Sequence, residues 1–364
     1  MALFDQTKSV SPLLTVAGAV PAIGGQPCRL VIPRQSRRLQ KIRVHFRFSI
    51  TTALTGGSPI IPGLSGLINT VSLTVSDAAG SNRRFLDMRG STLQVLMRRW
   101  EQTADRYSQL SCNPNLTTVG SYDIFWTIPV RYPIIDDPIG YRTSMPLDEN
   151  FANADPVLEI TTPALITEMG YTGGALSVTF ARVTFYFDEI NDAALLKAGK
   201  PLAYIPQEIK TLDLDPNANT WNLERGGWLA GILIEEFTNT ARTNRGSALA
   251  GAQSDYYTLR YGRRDLRQWY TEEGVADDDN WVVSPPMATG TAYYSGPDFA
   301  CHLVDLLAPR TQGGIFSGVS ALNLYTDNAG DSAQIVATAL SANGRIRLTT
   351  HKFLAPDLSA LFGG

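Results

Sequence analysis

Apolar and polar residues alternate with a period of two along much of the chain. From Leu39 the series Ile42, Val44, Phe46, Phe48 and Ile50 interleaves with Lys41, Arg43, His45, Arg47 and Ser49. Successive side chains of a strand point to opposite sides, so this pattern predicts a strand with an apolar inward face and a basic outward one. Val71, Leu73 and Val75, set between Ser72, Thr74 and Ser76, predict a second strand. The stretch from Tyr122 to Tyr132, closed by Pro133, predicts a third, and Val157, Leu158 and Ile160 a short fourth. In the longest segment Leu176, Val178 and Phe180 alternate with Ser177, Thr179 and Ala181. At Arg182 the phase slips, and Val183, Phe185 and Phe187 continue one residue out of register, as a β-bulge produces.

Two other patterns interrupt the strands. Between Ser91 and Tyr107, Leu93, Leu96, Met97, Trp100, Ala104 and Tyr107 recur at spacings of three and four, which predicts a helix packed on the core, capped by Ser91 or Thr92. Residues 1–38 read as an arm that docks on a neighbour, residues 39–190 as a first domain, and residues 191–221, with Pro201, Pro206 and Pro216, as a linker. A second domain over 222–356 and a tail over 357–364 complete the division.

The second half repeats the order of the first. A strand from Trp228 to Phe237 is followed by a Gly-rich loop, a strand from Tyr256 to Tyr261, and a short helix expected over Arg263 to Glu273. Strands then follow from Phe299 to Leu307, at Leu322 and Leu324, at Ile335 and Val336, and at Ile346 and Leu348. The offset between matching elements is about 165 to 185 residues, far longer than a solenoid period, so the pattern implies duplicated domains.

Composition narrows the class further. The 364 residues suffice for two domains with their own cores. With 31 Gly and 21 Pro, turns are frequent, and all-β is the expected class. Cys28, Cys112 and Cys301 stand singly, which argues against a disulfide framework. Residues 1–187 hold 17 Lys/Arg and 13 Asp/Glu, whereas residues 188–364 hold 14 and 21. The positive excess is concentrated at the front, where Arg29, Arg34, Arg37, Arg38, Lys41, Arg43 and Arg47 occur without an intervening acid. Arg29, Arg34, Arg37 and Arg38 are therefore the candidate contacts to an anionic layer, either membrane or genome. Charge guarding a strand edge is the alternative.

The sequence offers little catalytic chemistry. His45, His302 and His351 are isolated, so no metal set is predicted, and neither a nucleophile elbow, a P-loop nor a dinucleotide fingerprint occurs. The expectation is no catalytic residue, no metal and no cofactor. An alternative reading as a glycan-acting hydrolase would have to use Asp298, Asp305, Trp281, Tyr293 and Tyr294; a phage spike or receptor-binding module is a third.

Two similar sandwiches in tandem, each with a flanking helix, long loops and a front arm, resemble the double jelly-roll major capsid proteins of the adenovirus and tectivirus lineage. Segments such as Phe125-Trp126-Thr127-Ile128-Pro129-Val130 and Asp155-Pro156-Val157-Leu158-Glu159-Ile160 have the character of that family, closest to membrane-containing icosahedral bacteriophages. The resemblance implies an all-β fold of two tandem eight-stranded jelly rolls and a non-enzymatic structural subunit of an icosahedral virion, synthesised in the host cytoplasm. It further implies homotrimers that act as pseudo-hexamers and contact neighbouring capsomers, minor capsid and vertex proteins, and an internal viral membrane or the genome.

Overall fold

The structure, a computed structural model, describes residues 10–15, 28–34, 37–55, 68–76, 80–90, 92–93, 119–131, 143–148, 151–161, 175–191, 204–215, 217–238, 241–242, 256–270, 301–305, 322–325, 332–338, 340 and 344–354. These fall into two units divided between Gln207 and Glu208.

The first unit contains β1 (Val10–Thr15), β2 (Cys28–Val31), β3 (Arg37–Thr55), β4 (Thr70–Ser76), β5 (Asn82–Arg89), β6 (Gly120–Pro129), β7 (Met145–Pro146), β8 (Val157–Thr161) and β9 (Ala175–Asn191). One sheet runs β1-β9-β3-β6, with the short β7 added to β3; the other runs β2-β8-β4-β5. Sequence-distant strands are thus neighbours, and the long β3 and β9 pair from Arg37↔Asn191 to Thr55↔Ala175. The phase slip read at Arg182 is a bulge in that ladder: Arg47 faces Arg182 while Phe48 faces Phe180, leaving Ala181 over. It keeps Phe46, Phe48 and Phe185, each no more than 2% exposed, buried on either side of the slip. Burial of a side chain of that size contributes about 1.5–3 kcal/mol, which favours the bulge over a strand that turns half its aromatics to water.

The second unit contains β10 (Gln207–Asp213), β11 (Thr220–Asn222), β12 (Trp228–Thr238), β13 (Ala241–Arg242), β14 (Tyr256–Tyr261), β15 (Arg264–Tyr270), β16 (Cys301–Asp305), β17 (Leu322–Asn323), β18 (Ala333–Ala337) and β19 (Gly344–Phe353). One sheet contains β10-β19-β12, with β16 and the short β17 paired to β12, and β13 folded back on it; the other runs β11-β18-β14-β15. Every strand of the first unit has a counterpart here in the same pairing. β1 corresponds to β10, β2 to β11, β3 to β12, β4 to β14, β5 to β15, and β6 through β9 to β16 through β19. The chain is two jelly rolls of eight principal strands, one after the other. The second core gathers Leu229, Ile232, Ile234, Tyr257, Leu259, Ile335, Ile346 and Leu348.

Three sequence expectations look different in the structure. The helix expected from Arg263 to Glu273 is instead β15 as far as Tyr270, because Gly262 at φ +57° closes a tight turn and returns the chain along β14, pairing Tyr256↔Tyr270 through Tyr261↔Arg264. Residues 191–221, expected as a linker, include β10 and β11. Buried Gln207 and Ile209 alternate there with half-buried Glu208 and Lys210, so the charges lie on the opposite face of a short strand. Residues 1–38 contain β1 and β2, the latter pairing Cys28↔Ile160 through Val31↔Val157. Of the helix expected from Ser91 to Tyr107, only Thr92 and Leu93 belong to the described residues, and both are fully buried.

Candidate functional site

Pairing registers identify one end of each jelly roll. In the first unit Val31 and Thr74 both stand level with Val157, so the β2–β3 connection, the β4–β5 turn and the start of β8 share an end. Backbone bonds tie it together: Ile32 N–H donates to Pro156 O at 2.8 Å and Asn153 N–H to Ser76 O at 2.8 Å. In the second unit Asn222 stands level with Gln334 and Tyr261 with Ala333. There Leu223 N–H donates to Ala333 O at 2.8 Å, Gly262 N–H to Ser332 O at 3.1 Å, and Gly226 N–H to Leu324 O at 2.9 Å.

The four arginines singled out from the sequence lie at or near this end of the first unit, in different settings. Arg29, on β2, is 3.7 Å from Glu159. Arg34 is held by Asp155 at 3.1 Å, and its guanidinium also donates to the carbonyls of Ala152 and Asn153. Arg37 is half-buried and opens β3 opposite Asn191, whereas Arg38 is only 3% exposed. Beyond it the outward face of β3 is largely covered: Lys41 and Arg43 are half-buried, His45 is buried, and only Arg47 is exposed.

Other arginines occupy equivalent turns in the two units. In the first hairpin Leu73 faces Leu86 and Thr74 faces Arg84, so Phe85 is an extra, bulged residue. In the second, Leu259 faces Arg267 and Arg260 faces Asp265, so Leu266 is the extra one. By this register Arg83 corresponds to Arg264, and both turns carry a left-handed glycine, Gly80 at φ +82° and Gly262 at φ +57°. Arg83, Arg84, Arg263 and Arg264 are all exposed. Sequence reading missed them as a group, although each turn shows a glycine followed within four residues by an arginine pair.

Ion pairs differ between the two ends. Arg84 meets Asp87 at 3.2 Å, whereas in the second unit Asp265 is taken by Arg260 at 2.6 Å and Glu224 by Lys210 at 2.8 Å. The hydrogen bond from Arg260 holds the Asp265 carboxyl below its ordinary range, and that from Lys210 does the same for Glu224. Among the described residues these pairs consume the local acids and leave Arg225, Arg263 and Arg264 exposed at the same end. Tyr325, 40% exposed, follows Leu324, whose carbonyl accepts from Gly226; Leu266 in the adjacent turn is 48% exposed. Val31 is 45% exposed at the matching end of the first unit.

The interior contains ionisable groups. Tyr257 donates to Glu236 Oε1 at 2.6 Å, with both residues fully buried in the second core. Burial pushes the Cys28 thiol up to about 11 and so keeps it an unreactive thiol. His45, His302 and His351 sit on β3, β16 and β19, and no group of three or more metal-binding side chains occurs among the described residues. Of the residues a hydrolase would use, Asp305 ends β16 opposite Gly231; Asp298, Trp281, Tyr293 and Tyr294 lie outside the described residues.

Burial drives the His351 pKa down from 6.5 to about 3, so the folded protein keeps a neutral imidazole. The unfolded chain binds this proton below its ordinary pKa and the folded chain only near pH 3. The contribution of His351 to stability is therefore intact above about pH 6.5 and declines as pH falls from there towards 3, by up to about 1.4 kcal/mol per pH unit. Denaturation of wild type and His351→Gln at pH 7 and pH 4 is expected to show a shallower loss in the variant. Equal losses would mean that His351 is not a source of acid sensitivity.

No protein-family model matches the chain, and no curated protein matches it. Solved structures do. The STIV MCP, from Sulfolobus Turreted Icosahedral Virus, is 15% identical, aligns over 96% of this chain and 98% of its own, and gives a TM-score of 0.59. PBCV-1 VP54, fitted into a reconstruction of the virophage Sputnik, is 11% identical over 92% of this chain and 90% of its own, at 0.55. The Faustovirus major capsid protein is 6% identical over 92% and 88%, at 0.52. These comparisons show a shared fold that extends across both units.

Proposed function

We propose that this chain is a major capsid protein: a structural, non-catalytic subunit that assembles through its own surfaces into the shell of an icosahedral virion. The observation that carries the reading is the strand-for-strand duplication, in a fold that aligns over 98% of the STIV MCP and 88% of the Faustovirus major capsid protein. Duplication has a geometric use. Three copies of a tandem pair present six like modules, so a trimer can fill a hexagonal lattice position with three-fold symmetry alone. Function then resides in interfaces, which need complementary surfaces and no pocket.

The homotrimer is the first consequence to test. Size-exclusion with mass measurement on purified protein is expected to give a species of about 119 kDa, three times the 39.7 kDa of one chain. A protein that remains monomeric at micromolar concentration and turns over a glycan would overturn the shell reading in favour of a hydrolase.

A further inference from the structure

We propose that the start of β3 in the first unit holds a small free oxyanion of the sulfate or phosphate class, bound by Gln40 and Arg38 beside Tyr204. The phase of β3 changes at Gln40. Leu39 faces Glu189 and Lys41 faces Asp188, so Gln40 is an extra residue, bracketed by the fully buried Leu39 and Ile42. A bulge of this kind re-aims side chains. It puts Gln40 and Lys41 together on the face opposite Leu39 and Ile42, the face that also carries Arg38 and Arg43.

Three observations point to a ligand there. Gln40 is only 5% exposed, and its amide Nε2 has no hydrogen-bond partner among the described residues. A donor stripped of water is costly unless something accepts from it. The surroundings are cationic: buried Arg38 and half-buried Arg37, Lys41, Arg43 and Arg131 outnumber Asp148, Asp188 and Glu189. Arg131 belongs to the same corner, since its N–H and that of Val130 donate to Gln40 O at 2.9 and 3.0 Å. The corner is also covered. Gln207 Nε2 donates to Val130 O, and Tyr204 stands near enough for the Arg38 charge to act on its hydroxyl. Burial pushes that hydroxyl well above its ordinary pKa, so it stays protonated and able to donate. A water molecule would meet the amide but leave the buried positive charge unbalanced. An oxyanion answers both, with several acceptor oxygens and a charge that suits a guanidinium. With Arg38 3% and Gln40 5% exposed, the place suits a free ion better than the phosphate of a polymer or a lipid.

The test titrates the full-length protein with sodium phosphate and, separately, with sodium sulfate by calorimetry, at an ionic strength held constant with sodium chloride. One ion per chain, saturating below about 10 mM, is expected for each salt, with a matching rise in Tm. Gln40→Met keeps the shape of the side chain and removes the donor, so it is expected to bind at least about tenfold more weakly. In the absence of either ion the same variant is expected to melt no lower than wild type, because it no longer buries an unmet amide. Lys41→Gln, on the same face but half-buried, is expected to weaken binding severalfold and carries the test should Gln40→Met fold poorly. Wild type that shows no saturable binding of either ion, or folded variants that bind as wild type does, overturns the proposal. The site lies within the first unit, so its outcome is separate from the oligomer mass that tests the shell reading.

Discussion

Gly90→Ala is expected to destabilise the first jelly roll by about 3 kcal/mol, a large fraction of the roughly 5–15 kcal/mol that holds a typical domain folded. Gly90 follows β5 at the end of the first unit opposite the arginine turn, and its N–H donates to Asn69 O at 3.0 Å. A Cβ there would run into the carbonyl oxygen of Ile68 and lie 2.7 Å from that residue's carbonyl carbon. Those atoms belong to the backbone leading into β4, so no side-chain rotation relieves the clash; the start of β4 and the end of β5 would have to separate. Gly80 provides the control. It has the left-handed φ of +82° but nothing within 4 Å of an added Cβ, so Gly80→Ala is expected to cost only the local conformational penalty, about 1 kcal/mol. Urea denaturation of the two variants separates the effects, and Gly90→Ala within about 0.5 kcal/mol of wild type would show that the approach of β5 to Ile68 is not a fixed feature of the fold.

Much of the architecture was legible because the sheet interiors impose a strict period of two. The apolar series of β3 and β4 is readable because Ile42, Val44, Phe46, Phe48 and Ile50, like Val71, Leu73 and Val75, are all buried, and even the bulge at Ala181 left its mark as a shift of phase. The short strands left less. In β10 only Gln207 and Ile209 face inward, and a two-position signal amid Glu208, Lys210 and Asp213 resembles a charged connector. In β15 the residues Leu266, Trp269 and Tyr270 fall at helical spacings by coincidence, and the decisive signal was the Gly262 turn that folds them back on Tyr257. The candidate surface was hidden for another reason. Arg83 and Arg264 lie far apart in sequence and become equivalent only when the two units are aligned by strand register, whereas the run from Arg29 to Arg47 is conspicuous in sequence but is divided in the structure between paired, half-buried and buried positions.

Glu208→Gln is expected to destabilise the second jelly roll by about 3–5 kcal/mol, because it strands a buried cation. Lys352, on the closing strand β19, is 3% exposed, and its ammonium lies 2.8 Å from Glu208 on the neighbouring opening strand β10. The next carboxylate that Lys352 influences, Glu224, is engaged first by a hydrogen bond from Lys210 and offers no ready substitute. With Glu208 neutral, the ammonium has to stay charged in a poorly solvated place, give up its proton, or pull β10 away from β19 to reach water. Replacing both partners removes the unbalanced charge, so Lys352→Met/Glu208→Gln is expected to be nearer to wild type than Glu208→Gln alone, since apolar contacts replace an ion pair whose desolvation had offset much of its attraction. The interaction energy from the double-mutant cycle is the quantity to measure, by denaturant unfolding at pH 7. Single and double variants whose effects simply add would show that the two charges act independently and that β10 is held to β19 by its backbone ladder alone.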